Sequence, residues 1–455
     1  MNGKEAVLLS EINTSTLASH RQTVAKDLQL ALAADQVSLI LADLKYSFRV
    51  RVFDPFTTLF TFLAQVFNED PSCRNAVSGL IASRISRGLA SICFNTGSLC
   101  KAKQRLPLEL ISTLTKQAAI VHPNSWKLGR VFVIDGSGVS MPDTPANRLA
   151  FPAHTAKTAG FPLARLAAIF SLESGSLVDT AVAPMRGKGT GETSLMNKLW
   201  DNLQAGDTLL GDALFSGYPT IYRTQLRGIH LVSELPKRSH SRLNRKLDDQ
   251  IINLPKPIKA PLGVTKQEFA SWPDLVTVRV VKLTCAPAGF RVKTKYILTT
   301  ILDLKLIGKE DLFELYRKRW QAEINLRSIK TTLGMDILRG LTPEMVIKEM
   351  WVHWLAYNMI RAAICNAATI KKVLPSCLSF RGAQQILANV RSACSVGLKM
   401  KPELWEEILK LIGTQTIGNR PGRFEPRAIK RRKKNFALLN RPRHLARKRL
   451  HKKHK

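Results

Sequence analysis

Three carboxylates in this 455-residue chain stand where chemistry could be done: Asp135, Asp212 and Glu323. Asp135 closes the apolar run VFVID and is followed by Gly136, the form of a buried strand ending in a turn. Asp212 lies at the end or middle of another short apolar run, TLLGDALF. Glu323 belongs to a later helix and faces inward. Carboxylates brought from separate elements are hard oxygen ligands that suit Mg²⁺ (or Mn²⁺), which keeps water positions open for a substrate. Two such ions, roughly 3.5–4 Å apart, can clamp the attacking and leaving oxygens of a phosphodiester. Each residue also has an ordinary reading. An Asp before Gly is most often a turn residue, and an inward Glu with an Arg one turn earlier is most often half of a buried ion pair. Glu234, at the end of HLVSE, is the rival third carboxylate.

The preference for Glu323 comes from its surroundings. The segment Asp311–Gly334 (DLFELYRKRWQAEINLRSIKTTLG) reads as one helix. On a wheel centred on Glu323, Tyr316, Arg319 and Lys330 fall within roughly 60° of it. Leu315, Leu326, Leu333, Phe313 and Trp320 flank that stripe, and Glu314, Arg317, Lys318, Gln321, Asn325, Ser328 and Thr332 occupy the far face. An ordinary amphipathic helix turns its charges outward. Charges turned inward mark a site, because burying them unpaired is costly.

The elements that must position these groups show in the hydrophobic periodicity. Residues 1–125 read as helical, with Asp54-Pro55 as a helix start and Asn95-Thr96-Gly97 as a turn. From Val131 the texture alternates: a strand, a hairpin over 165–184 about Glu-Ser-Gly-Ser, and a helix over 191–203 capped by Thr193. A strand over 207–215, a helix over 219–228 and a strand over 229–235 follow. This order predicts a mixed α/β sheet with helices on its faces. We therefore expect a helical region over 1–125 and a core carrying the three acids over 126–235, resumed over 304–345 with the Glu323 helix. A β-rich insertion over 236–303 interrupts that core. A helical region over 346–415 and a basic tail over 416–455 complete the chain.

Composition sets the partner class. Lys and Arg number 69 against 34 Asp and Glu, a net charge of +35, which points to a polyanion. From Arg420 to Lys455 there are 16 Lys or Arg and one acid, Glu425. An apolar content of 45% is that of a globular protein. No run of eighteen apolar residues predicts a membrane span, the start of the chain lacks the form of a secretory signal, and a cytoplasmic, nucleoid-associated place is expected. Seven cysteines without CxxC spacing argue against disulfides and structural zinc.

At this point the chain resembles a known family, the DDE transposases of the insertion-sequence-4 (IS4) type. The signature is Tyr, two residues, Arg, three residues, Glu, six residues, Lys, met here by Tyr316, Arg319, Glu323 and Lys330. Asp135-Gly136 after VFVI and Gly211-Asp212 after TLL resemble the family's two aspartate motifs. SCRNAVSGLIASR, LCKAKQRLP and NRPGRFEPRAIKRRKKNFALLNRPR resemble its terminal regions, so the likeness covers almost the whole chain. It implies an RNase H-like α/β core with a β-strand insertion, and Asp135, Asp212 and Glu323 as catalytic metal ligands. It further implies that Tyr316, Arg319 and Lys330 contact DNA at the cleaved transposon end. The expected partners are double-stranded DNA, as terminal inverted repeats and as target, and a second copy of the chain on that DNA.

Relatives of this type flip a base at a hairpin end, and Trp272 in the insertion is a candidate platform, with a packing role as its alternative. Trp320 reads as core. RGKGTGET lacks the P-loop spacing but could present Lys188 and backbone N–H groups to a phosphate. Two other functions stay open at this stage. One is an RNase H-like nuclease or resolvase that cuts without joining. The other is an inactive, transposase-derived DNA-binding repressor.

Overall fold

The computed structural model describes residues 34–49, 51–122, 126–153, 160–262, 264–285, 293–395 and 401–418, with 445, 448 and 449 besides. The basic tail expected over 416–455 lies almost wholly outside the described residues.

Among the described residues, five helices precede the sheet: α1 (Ala34–Asp43), α2 (Pro55–Phe67), α3 (Cys73–Ser86), α4 (Thr96–Arg105) and α5 (Leu108–Gln117). Helix α2 starts as its sequence dictates. Pro55 occupies the first turn, and the Asp54 carboxylate accepts the Thr57 N–H at 2.6 Å. Asn95, expected in a turn, instead caps α4 by accepting the Gly97 N–H at 2.7 Å. Asn serves turns and N-caps through the same side-chain acceptor, and here the residues that follow are helical.

The centre is an eight-stranded sheet in the order β3-β2-β1-β4-β5-β8-β7-β6. Strand β1 (Val131–Ser140) pairs antiparallel with β2 (Leu163–Ser171), which forms a hairpin with β3 (Leu177–Pro184). On its other side β1 runs parallel to β4 (Thr208–Gly211), and β4 parallel to β5 (His230–Glu234). Residues 131–134 are all buried, as a strand covered on both faces requires. The β-rich insertion supplies β6 (Asp249–Pro255), β7 (Leu275–Cys285) and β8 (Lys293–Thr299), all antiparallel. Strand β8 pairs with β5, so the insertion prolongs the main sheet.

Each face of the sheet carries its own core. On one face Val131 and Val133 pack with α2, α5 and the 29-residue α12 (Pro343–Lys371). Two further helices, α13 (Phe380–Ser395) and α14 (Pro402–Thr414), support α12 from outside. On the other face Phe132 and Ile134 pack with α7 (Glu192–Met196), α8 (Tyr218–Leu226) and residues of the insertion, among them Phe269 of the short α9 (Lys266–Ala270), while the short α6 (Pro145–Ala150) borders the first core. The helix expected over 191–203 is shorter than predicted. It is capped by Gly191 rather than Thr193 and gives way to a 3₁₀ turn over Trp200–Asn202. Asn358 of α12, fully buried, ties the layers together: it accepts from Leu177 N–H and donates to the carbonyls of Thr115 and Leu177. Among the described residues no helix is long and apolar enough to cross a membrane.

Candidate active site

The parallel pairing of β1 with β4 ends at Val133 and Leu210, although β1 itself continues to Ser140 alongside β2. A crevice opens there, at the carboxyl ends of adjacent parallel strands, the position where open α/β sheets bind ligands. Asp135 and Asp212 stand on its two sides. Asp135 is therefore in the middle of its strand, not at its end as expected, but it is beyond the last residue paired with β4. Asp212 is the first residue after β4. Its side chain accepts the Leu214 N–H at 2.9 Å, and its carbonyl accepts the Ser233 hydroxyl of β5 at 2.8 Å. Burial raises the pKa of Asp135, with Glu323 and Asp212 adding to the shift; the Gly136 N–H and Arg319 oppose it. Glu323 and Asp212 thus each lie within electrostatic reach of Asp135.

Glu323 arrives on a helix that differs from the one predicted. The segment is broken into α10 (Lys309–Arg317) and α11 (Trp320–Arg327), followed by a π-helical turn over Ser328–Thr332. At the break, Lys318 and Arg319 make i→i+3 bonds to Leu315 and Tyr316. The break and the wide turn rotate the expected faces. Asn325 and Ser328, assigned outward, are buried, while Trp320, assigned to the core, is 58% exposed. Both irregularities sit beside Glu323, as such defects in helices often do at functional sites.

The signature residues gather on the same crevice. Arg319 donates to Glu323 at 2.9 Å. Lys330 donates to the Ser137 hydroxyl at 3.1 Å and to the Gly138 carbonyl at 2.8 Å, two and three residues beyond Asp135. Tyr316 is only 8% exposed, and its hydroxyl donates to Glu234 at 3.3 Å. Lys295 also donates to Glu234, at 2.6 Å. The rival carboxylate is thus occupied by a cation and a phenol. Burial, with Glu234 close by, raises the Tyr316 pKa against the pull of Arg319.

Among the described residues, no three His, Cys, Asp or Glu side chains converge closely enough to hold a metal ion as they stand. The donor set nevertheless fits a hard divalent cation. Among the described residues, Asp135 and Asp212 make side-chain hydrogen bonds only to nearby backbone N–H groups, Glu323 is turned to Arg319, and no cation forms an ion pair with either aspartate.

Trp272 is 4% exposed and packs against Tyr218, Tyr222 and Phe269, so it is a core residue of the insertion and not an open platform. Lys188 is exposed in a loop where Gly187 and Gly189 take positive φ. Sequence reasoning missed Glu192, the first residue of α7, whose neighbours in space are Asp212 and Asp135. Its signal was an acid at a helix start, which alone reads as a favourable end charge.

The family model described as the transposase DDE domain matches residues 126–359, more than half of the chain, which therefore belongs to the DDE transposases. A curated relative is Transposase InsG for insertion sequence element IS4, from Escherichia coli (strain K12). It is 27% identical over 354 residues, covering 74% of this chain and 76% of that protein. Together with the Tyr-Arg-Glu-Lys signature, the likeness puts the chain among the insertion-sequence transposases of the IS4 family.

Proposed function

We propose that this transposase cuts DNA at the terminal inverted repeats of its own element and joins the freed ends to target DNA, with Asp135, Asp212 and Glu323 holding divalent metal. The observation that carries this reading is that Asp135 and Asp212 flank one crevice, and that Arg319 before α11, Glu323 on it and Lys330 in the π turn approach the same edge of β1. The order β3-β2-β1-β4-β5, in which β2 alone runs against the others, supports an RNase H-like core.

Two displacements at phosphorus make up the reaction. In the first, a water oxygen bonds to phosphorus at the element's end, the P–O3′ bond breaks, and the 3′-hydroxyl is released. In the second, that 3′ oxygen bonds to a target phosphorus and the target's own P–O3′ bond breaks. Mg²⁺ or Mn²⁺, when bound, supplies neutralisation of the phosphoryl charge and a more acidic water. The chain's own residues do the rest. Asp135 and Asp212 are fixed on the sheet, whereas Glu323 is half-buried on α11 and must turn from Arg319. The freed Arg319 guanidinium is then available to a phosphate, the partner its planar donors suit. Lys330 brings a second cation to the edge of β1. Tyr316, held by Glu234, borders Arg319 and contacts the cleaved end after local rearrangement, or sets the position of Arg319.

The helical region before the sheet reads the terminal sequence, and the tail over 416–455 adds phosphate contacts that steepen the salt dependence of binding. A dimer, each copy cutting the end held by the other, is the assembly on DNA. The protein then works at the nucleoid, in the cytoplasm. The test uses the full chain with DNA carrying the element's ends. Cleavage should require Mg²⁺ or Mn²⁺ and vanish in Asp135→Ala while binding remains, and a pre-cut end should be joined to target. Cleavage that survives Asp135→Ala would overturn the site, and cutting without joining would make the protein a nuclease.

A further inference from the structure

A fourth acid approaches the crevice from the other side of the sheet. Side chains alternate along β1, so Asp135 continues the face of Val131 and Val133, whereas Gly136 continues that of Phe132 and Ile134. Helix α7 packs on this second face, and its first residue, Glu192, lays its carboxylate directly over Gly136. A Cβ at 136 would overlap the Glu192 carboxyl carbon and both of its oxygens. The glycine beside Asp135 therefore makes room for the acid.

Glu192 is half-buried and, among the described residues, its carboxylate makes no hydrogen bond or ion pair. Arg165 acts on it electrostatically, but its guanidinium donates to the Thr190 carbonyl at 3.1 Å and to the Met185 sulfur. A glutamate kept only for packing would be expected to take the arginine, since an unpaired half-buried charge is costly. Burial raises the Glu192 pKa, and Asp212 and Asp135 add to it against Arg165. The charges that act on Asp135 include Glu323 and Asp212. Asp135 and Asp212 are thus common to two sets, with Glu323 in one and Glu192 in the other.

We propose that Glu192 is a fourth carboxylate of the catalytic metal centre, reaching the Asp135–Asp212 pair from the sheet face opposite Glu323. Four hard oxygen donors bracketing one pair suit two divalent cations, one on each side. This rests on the metal-dependent reading above, and the experiment separates the two. Mn²⁺ is titrated into the full-length protein, with free ion followed by electron paramagnetic resonance, for the wild type, Asp135→Ala, Glu192→Gln and Gly136→Ala. Gly136→Ala keeps the charge of Glu192 but displaces its carboxylate. Asp135→Ala should abolish binding. Glu192→Gln and Gly136→Ala should each weaken it about tenfold or remove one equivalent. Without metal, Glu192→Gln should melt at or above the wild-type temperature, because it relieves repulsion. If Asp135→Ala binds Mn²⁺ as the wild type does, the metal centre itself is misassigned and Glu192 falls with it. If Asp135→Ala loses binding while Glu192→Gln and Gly136→Ala retain it in full, Glu192 alone is refuted.

Discussion

The crevice and the insertion treat their acids in opposite ways. In the insertion, Asp249 of β6 receives a two-pronged pair from Arg279 of β7, at 2.9 and 2.6 Å, and Arg279 is 1% exposed. Asp248 beside it pairs with Lys282 and Lys309. At the crevice, Asp135, Asp212 and Glu192 have no such partner among the described residues. The first arrangement is finished in the free protein and serves the fold. The second is left incomplete, and its repulsion is a standing cost that a bound cation would relieve. A carboxylate's partner, more than its burial, distinguishes scaffold from site here.

Exchanging each acid for its amide tests that difference. Asp212→Asn should lower DNA cleavage about 10³-fold, comparable to removing a direct transition-state stabiliser, with little change in unfolding free energy. An equal loss of stability would show that Asp212 is scaffold after all. Asp249→Asn should do the reverse, costing about 3–4 kcal/mol by leaving Arg279 buried and half-paired, as read by urea denaturation. Cleavage by the protein that remains folded should be near normal.

A third acid lies between the two cases. Glu173, in the β2–β3 turn, has one oxygen buried without a partner, and burial raises its pKa to about 7 from 4.5 against the pull of Lys318. A carboxyl raised on folding favours the native state when protonated, so its contribution is full below about 4.5 and is lost as pH rises through about 7. Glu173→Gln should therefore stabilise the protein at pH 8 by no more than about 3 kcal/mol and leave it unchanged at pH 4. A flat difference between the two stability curves would refute this. The smallest effect is expected of Tyr316→Phe. Loss of one hydrogen bond to Glu234 should cost about 1 kcal/mol. If Tyr316 acts only by holding Arg319, cleavage should stay within a few-fold of wild type, whereas a large loss would assign its hydroxyl to the DNA.

Much of this was legible in the sequence because it depends on local rules. The run VFVI, the hairpin about Ser174-Gly175 and the cap at Asp54 follow from strand burial, turn chemistry and side-chain acceptance. The spacing of Tyr316, Arg319, Glu323 and Lys330 singled out the helical segment for which a role at the proposed site is argued above. What escaped depends on tertiary context. A wheel assumes one unbroken helix, and the break at Lys318-Arg319 with the π turn undid the assignments of Trp320, Asn325 and Ser328. Glu192 escaped because nothing in its own segment indicates that Gly136, more than fifty residues earlier, vacates the space above it. Trp272 was buried by Tyr218 and Tyr222, residues of a helix outside the insertion.

The seam between β5 and β8 has a practical consequence for engineering. Because β8 is zipped onto β5 at Val232, Ser233 and Glu234, the insertion is no detachable cassette. A graft from a relative would have to bring an edge in register with those three residues, and a lysine to meet Glu234 where Lys295 now does. The exposed residues 244–247 carry no such seam and tolerate exchange better, provided that buried Leu243 and the Asp248 pairs with Lys282 and Lys309 are kept.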